Sequence, residues 1–515
     1  MKPPICKKNT TFQQCELAIL RQAIDLAGTK ISKRLVSSPE VQKMLIVVED
    51  FLKKKNLICY GGTAINALLP EEDKFYNSET VLSDYDFFSA NALEDAKELA
   101  DIFFKKGFKE VEAKSGLHHG TYKVFVEFLP MADITFIPKE LFNALKKDSI
   151  RVNGILYCPP NYLRMSMYLE LSRPAGDVGR WEKVLKRLTL LNKHYPFDDK
   201  KCGNVNFQRE MVNDSNENQI YETVKNTFIH QGCVFFGGYA ISTYSQYMPK
   251  TLKKKLQKIP DFDVLSNDPE STCEIVKERL KDVGEKNVKI ISKDPISDVI
   301  PEHFEIKVNG DTIAFVYKPV GCHSYNTIEK DGEKVKIATI DTMLSFYLAF
   351  LYADRPYYDK DRIVCMAKYL FDVQQKNRLE QKGVLRRFTV TCYGHQETIE
   401  EIRGKKANKF KELFIKPGAK ALKEFQEWFL NYNPESSKSK IVDEAELESE
   451  SESDSDSDSQ PETESSSPVK YKKYSKKYKY GKKKFTKRTF SRNPYKRRNI
   501  KTLKNKDWKN LIRGK

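Results

Sequence analysis

The chain has 515 residues, 40% of them hydrophobic and 31% charged, with a formal net charge of +18. That length allows two to four domains with ordinary cores, and the positive balance favours a polyanionic partner. The most apolar run, Met343–Ala353, is too short to span a bilayer, which argues against a membrane-spanning chain and for a buried helix.

The charge is unevenly placed. Lys470–Lys515 carries 21 Lys/Arg against a single acid, Asp507, whereas Val442–Glu464 carries 11 acids and no base. The rest of the chain is left at a moderate +9. The ten cysteines include no CxxC pair, and Cys392 with His395 is a single Cys/His spacing that makes no zinc site. Without a signal-peptide pattern the expected thiols are reduced.

In chain order, Cys15–Leu52 has apolar residues at helical spacing, with Ser38-Pro39-Glu40 starting a second helix. Leu57–Phe88 follows. An apolar run ends in Gly61-Gly62, a helical stretch covers Thr63–Leu69, and a second apolar run carries Asp84 and Asp86. Alternate residues of a strand share a face, so the two carboxylates project together while Tyr85 and Phe87 face the other way. Paired carboxylates repel unless a divalent cation lies between them, and a glycine turn into a helix exposes N–H groups to phosphate. A helix is expected over Ala92–Lys106, strands over Thr121–Phe128 and Met131–Ile137, and mostly helix over Leu141–Leu188.

The pattern then repeats. Cys233–Ile241 (CVFFGGYAI) echoes Ile58–Ile65 (ICYGGTAI), and Pro260–Val264 echoes Ser83–Phe87, with glycine-to-aspartate intervals of 22 and 23 residues. Met131–Pro138 matches Thr312–Pro319 at an offset of 181, and Arg173–Leu188 matches Arg355–Leu370 at an offset of 182. Four anchors in one order imply a duplicated domain. In this alignment Asp133 falls opposite Ala314, so the first copy offers three carboxylates and the second only Asp261 and Asp263. The first copy is therefore expected to be catalytic and the second degenerate. Glu127 is the rival for the third carboxylate, with Asp133 favoured because it lies mid-run. His118-His119 reads as an exposed hairpin tip. Arg180, Lys183 and Lys186 sit at helical spacing and suit either a triphosphate or solvent.

Beyond Pro434 the acidic, aromatic-free stretch is expected to be disordered, and the Lys/Tyr/Phe-rich end suits single-stranded nucleic acid. Five segments result: a helical 1–50, a catalytic module at 51–195, a degenerate module at 220–432, an acidic linker at 433–469 and a basic tail at 470–515.

A glycine pair, an Asp-x-Asp strand and a third Asp on a neighbouring strand form the pattern of the polymerase-β-like nucleotidyltransferases. With the duplication and the SDYDFF and RWEKVLKRL strings, Phe51–Gln375 resembles the poly(A) polymerase catalytic subunits of large nucleocytoplasmic DNA viruses, more remotely the poxvirus one. The resemblance implies an α+β fold of two tandem nucleotidyltransferase modules with helical subdomains. It implies AMP transfer from ATP to an RNA 3′-hydroxyl, with two Mg²⁺ or Mn²⁺ ions held by Asp84, Asp86 and Asp133. Gly61, Gly62 and Thr63 would bind the nucleotide's phosphates. It also implies a homodimer in the host cytoplasm at the viral factory. Uridylyl or CCA-adding transfer, second-messenger synthesis, and an inactive RNA-binding processivity subunit are the alternative readings.

Overall fold

The computed structural model describes residues 11–76, 85–198, 200–203, 216–256, 261–297, 299–415 and 419–436. All of them lie in one compact unit, Met1–Glu450; a second unit, Ser451–Lys515, lies outside the described residues, as does the rest of the acidic and basic tail.

Helices α1 (Phe12–Val36) and α2 (Pro39–Lys55) lead into β1 (Ile58–Tyr60), α3 (Gly61–Leu68), β2 (Tyr85–Ser89), α4 (Ala92–Lys105), β3 (Glu112–Ser115), β4 (Thr121–Val126) and β5 (Leu129–Phe136). Then come α5 (Lys139–Asp148), β6 (Ile150–Val152), β7 (Ile155–Tyr157), α6 (Pro160–Leu171) and α7 (Trp181–His194). Leu141–Leu188 is mostly helix, as expected, but β6 and β7 form a hairpin within it that the sequence reading did not include. Asn153 and Gly154 make its two-residue turn, with φ of 49° and 85°, and an Asn-Gly pair in that conformation matches the twist of paired strands.

The second half runs α8 (Glu217–His230), β8 (Val234–Phe235), α9 (Gly238–Tyr244), α10 (Lys250–Lys255), β9 (Phe262–Leu265), α11 (Pro269–Asp282), β10 (Val288–Lys293), β11 (His303–Val308) and β12 (Asp311–Tyr317). It closes with β13 (His323–Lys330), β14 (Glu333–Ala338), α12 (Ile340–Phe350), α13 (Lys360–Lys376), β15 (Cys392–Tyr393), α14 (Ile399–Ile415), α15 (Ala419–Phe429) and β16 (Asn431–Tyr432).

The strands form two sheets, in the orders β16-β3-β4-β5-β2-β1-β7-β6 and β10-β11-β12-β9-β8-β14-β13-β15. Seven strands match one for one, and so do their directions: β5 pairs parallel with β2 as β12 does with β9, and β1 with β7 as β8 does with β14. The duplication seen in the sequence is thus a duplication of fold. One register differs from the sequence alignment. Asp86 faces Asp133 across β2 and β5, and Asp263 faces Phe315 across β9 and β12, so the counterpart of Asp133 is Phe315 and not Ala314. The offset is 182, the value of the later anchors, and a one-residue slip is easy where two apolar strands are compared as short strings.

Each sheet carries one extra edge strand. On the first it is β16, from the far end of the described chain, anchored where Tyr432 Oη donates to Asp101 and Tyr122 Oη to the Glu427 carbonyl. The halves meet where α12 packs on α6 and the Ser324 N–H donates to the Ser172 carbonyl at 2.8 Å. Every residue of α12 is buried, which accounts for its largely apolar sequence, and its buried Asp341 is paired with Arg387. No helix among the described residues is long and apolar enough to cross a membrane.

The cysteines depart from expectation. Cys202 is bonded to Cys365 and Cys322 to Cys392, across 163 and 70 residues, separations that leave no local signature in the sequence. Cys59, Cys158, Cys233 and Cys273 are buried and free.

Candidate active site

The site lies on the central strands of the first sheet. β1 stops at Tyr60 and α3 begins directly at Gly61, whose φ of +73° favours glycine. A side chain there is also blocked: a methyl group on Gly61 would stand 2.6 Å from Asp86 Oδ2. On Gly62 it would meet Tyr76 Oη at 2.7 Å and an Arg187 nitrogen at 2.8 Å. The glycine pair thus lets the backbone approach an acid on one side and a cation on the other.

β2 alternates as expected. Tyr85 and Phe87 are buried, with Tyr85 Oη donating to Glu49 of α2 at 2.8 Å, while Asp86 is turned to the opposite face. Asp86 lies between Tyr60 on β1 and Asp133 on β5, a direct cross-strand partner on each side. Neighbouring strands run about 4.8 Å apart, which puts the two carboxylates within reach of one cation. Asp84 lies outside the described residues. Among those described, no group of three or more His, Cys, Asp or Glu is disposed to hold a metal. Glu127 sits at the β4–β5 turn with φ of +50°, away from the strand that carries Asp133.

Asp133 already holds a cation of the protein's own. Lys123, opposite it on β4, forms an ion pair with Asp133 Oδ2. An ammonium group stands where an acid cluster would receive a metal, so the donor chemistry fits a divalent ion.

A cleft of about 420 Å³ opens beside these residues, lined by Tyr60, Gly61, Gly62, Thr63, Asp86 and Phe88 on the sheet side. Across it stand Leu163, Ser166, Met167 and Glu170 of α6, with Arg180, Lys183 and Arg187 in and just before α7. Tyr60 stacks on Phe88 at 3.9 Å and hydrogen-bonds Thr135 through its hydroxyl at 3.0 Å, and burial raises its pKa. Burial likewise raises the Glu170 carboxyl, with Arg180 opposing.

Of the three cations read from helical spacing, Arg180 and Lys183 line the cleft. Lys186 turns away to an exposed pair with Glu182. The sequence reading missed Arg187, which bonds Tyr76 Oη and lies over the Phe75 ring at 4.6 Å. Its position four residues after Lys183 was the available signal. His119 lies against the Trp428 ring, tilted at 33° with centroids 4.3 Å apart, well separated in sequence from the cleft residues.

A glycine turn at a helix start, facing carboxylates on adjacent central strands and a cationic cleft, is the arrangement that the nucleotidyltransferase pattern in the sequence leads one to expect. Residues 46–177 match the family model described as poly(A) polymerase catalytic subunit. An African swine fever virus protein (strain Badajoz 1971 Vero-adapted), assigned by inference to that name, is 36% identical over 170 residues, 32% of this chain and 35% of the relative. One from Acanthamoeba polyphaga mimivirus, assigned likewise, is 33% identical over 164 residues, 31% of this chain and 28% of the relative. The matched stretch therefore spans about a third of these relatives' length. The crystal structure of the Megavirus polyadenylate synthase superposes with a TM-score of 0.71 at 20% identity, covering 88% of this chain and 91% of that one. The resemblance seen in the sequence is what these comparisons find: by sequence in the first module, and by fold across most of the chain.

Proposed function

We propose that this chain is a poly(A) polymerase whose first module is the catalytic one, adding AMP from ATP to RNA 3′ ends with release of pyrophosphate. The observation that carries this reading is the pairing of Asp86 with Asp133 on the next strand, with Asp86 and the Gly61-Gly62 turn lining one cationic cleft. Asp84, Asp86 and Asp133 would hold Mg²⁺ or Mn²⁺, which neutralises charge on the attacking and leaving oxygens when bound. The protein's own groups do the rest. Backbone N–H groups at the start of α3 and the guanidinium of Arg187 hold the terminal phosphates, with Thr63 as a neighbouring hydroxyl. Tyr60 and Phe88 form a flat apolar wall, and Lys123 balances Asp133 until the site is loaded.

RNA and ATP are the partners this reading requires. The homodimer and the viral factory rest on the family resemblance alone, and light scattering of the purified protein tests the first. The basic end, Lys470–Lys515, is proposed to contact RNA. Its removal should weaken binding steeply at low salt and little at high salt, and an unchanged low-salt affinity would reject the idea.

The central experiment gives the purified protein a labelled oligoribonucleotide, a divalent ion and one NTP at a time. A long ladder with ATP alone supports the reading. Extension by UTP, a product formed without primer, or no extension at all would sink it.

A further inference from the structure

The cleft has two chemically distinct ends. One is built from Gly61, Gly62, Asp86 and Arg187, where phosphate would sit. The other is built from Glu170 and Arg180. Arg187 and Arg180 are seven residues apart, and so are Leu163 and Glu170 on the facing helix, a separation of about 10 Å along a helix axis. A nucleotide whose phosphates lay at the glycine turn would be long enough to bring its base to Glu170.

Glu170 is an unusual residue to find there. Among the described residues, Glu170 and Asp86 are the acids lining the cleft, and Glu170 stands on α6 among Leu163, Ser166 and Met167. Its Oε1 is shut off from solvent and accepts no hydrogen bond, although Arg180 Nε forms an ion pair with it at 3.3 Å. The contact is close without pointing a donor along a lone pair. Burial raises its carboxyl pKa, as expected of an acceptor short of donors. The neighbouring Trp181 indole donates to the backbone carbonyl of Glu170 at 3.0 Å, which fixes the end of α6 and leaves the carboxylate to other partners.

We propose that Glu170 is the base-selecting residue of this cleft, its carboxylate accepting a hydrogen bond from the exocyclic amine of adenine. The inference rests on the polymerase reading above and adds the source of its base preference. An ionised carboxylate only accepts. Adenine and cytosine present an amine donor at the corresponding edge, whereas guanine and uracil present a carbonyl oxygen that would face the acid lone pair to lone pair. An acceptor oxygen shut off from solvent that the wrong base leaves without a hydrogen bond penalises that base more than a missing apolar contact would. The second module lacks this group: with the Pro160 start of α6 matched to the Ile340 start of α12, the counterpart of Glu170 is Phe350.

The test compares full-length wild-type protein with Glu170→Leu and Glu170→Gln, measuring kcat/KM for ATP and for inosine triphosphate, which carries a carbonyl in place of the amine. Wild type should favour ATP by roughly 10–100-fold, the span of one hydrogen bond to a charged group. Glu170→Leu should bring the ratio close to one. Glu170→Gln, whose amide oxygen still accepts, should keep most of it. If Glu170→Leu lowers both rates together and leaves the ratio intact, Glu170 only positions Arg180 and the proposal is overturned. Should the leucine variant not fold, the wild-type ratio and that of Glu170→Gln decide: equal use of the two triphosphates by wild type, or a ratio lost in Glu170→Gln, overturns it. Wild type inactive with ATP would instead overturn the polymerase reading, so the two failures are distinguishable.

Discussion

The two modules share seven strands in one order, yet the same volume in each is put to opposite use. In the first, α6 presents Leu163, Ser166, Met167 and Glu170 to an open cleft. In the second, the matching positions of α12 are Met343, Phe346, Tyr347 and Phe350, all buried. Phe346 stacks on Phe236 at 4.6 Å, Tyr347 Oη donates to the Phe236 carbonyl, and Phe350 stacks on Tyr358 at 4.3 Å. Aromatic rings occupy what a nucleotide would need. Around this filled space the chemistry is also dismantled: Phe315 stands for Asp133, and at the offset of 182 Cys365 and Tyr369 stand for Lys183 and Arg187. Cys365 is bonded to Cys202. A duplicated scaffold can become a core by exchanging polar lining for rings, because its backbone topology does not depend on what lines the cleft.

The largest expected effect tests this division directly. Asp86→Ala should reduce primer extension by roughly 10³-fold or more, since it removes a group that would hold the ions stabilising the transition state. Asp263→Ala, at the matching position of the filled module, should leave extension within a few-fold of wild type. Gel assays of the two proteins side by side settle it, and equal losses would break the comparison.

The filled module should also betray itself in acid. His303 and His323 are fully buried in it, and burial pushes their pKa values down to about 4 and about 3. Each must be neutral in the folded state yet protonates near its ordinary value of 6.5 once unfolded. Their contribution is therefore complete above that value and is lost as pH falls toward 4 and 3. The full loss should approach roughly 3 kcal/mol for His303 and roughly 5 kcal/mol for His323. Thermal melts from pH 7 to pH 4 should show a steep fall, flattened in His323→Phe. An identical slope in that variant would mean that His323 is not what the acid attacks.

Much of this contrast could be read from residue order. The glycine turns, the Asp-x-Asp echo and the strands around Asp133 are local patterns, and local patterns survive in a string. The duplication was legible because four such strings recur in order. What escaped depends on contacts distant in sequence. The register that sets Phe315 against Asp263, the approach of Arg187 to Gly62, the Cys202–Cys365 bond and the return of Asn431–Tyr432 to β3 are each fixed by tertiary packing. The β6–β7 hairpin was different: its Asn153-Gly154 signal was present and was overruled by flanking helical periodicity.

A smaller effect sets a methyl group against each glycine turn. Gly62→Ala must displace Tyr76 or Arg187, so the KM for ATP should rise about tenfold while the melting temperature barely moves. On Gly237 the same methyl would overlap the Asp263 carboxylate. With no substrate role expected there, Gly237→Ala should cost stability, about 1–3 kcal/mol, and leave KM alone. Calorimetry and steady-state kinetics on both variants read the two axes, and a loss of ATP affinity in Gly237→Ala would show that the second module still contributes to binding.

The smallest expected effect concerns the cation that Asp133 already holds. At the matching place in the second sheet Glu305 stands opposite Phe315, and Glu305 is paired instead with Lys293 and Lys307. The Lys123–Asp133 pair thus belongs to the open site alone. It is part-exposed, and such pairs contribute up to about 1 kcal/mol. A divalent ion binding at Asp133 must displace the ammonium group, so Lys123→Met removes a competitor and should tighten Mn²⁺ binding by roughly two- to fivefold. Titration calorimetry on the apo protein measures this without turnover. Weaker binding in the variant would mean that Lys123 supports the metal site and does not compete for it, and the neutralising role given to it in the open module would be wrong.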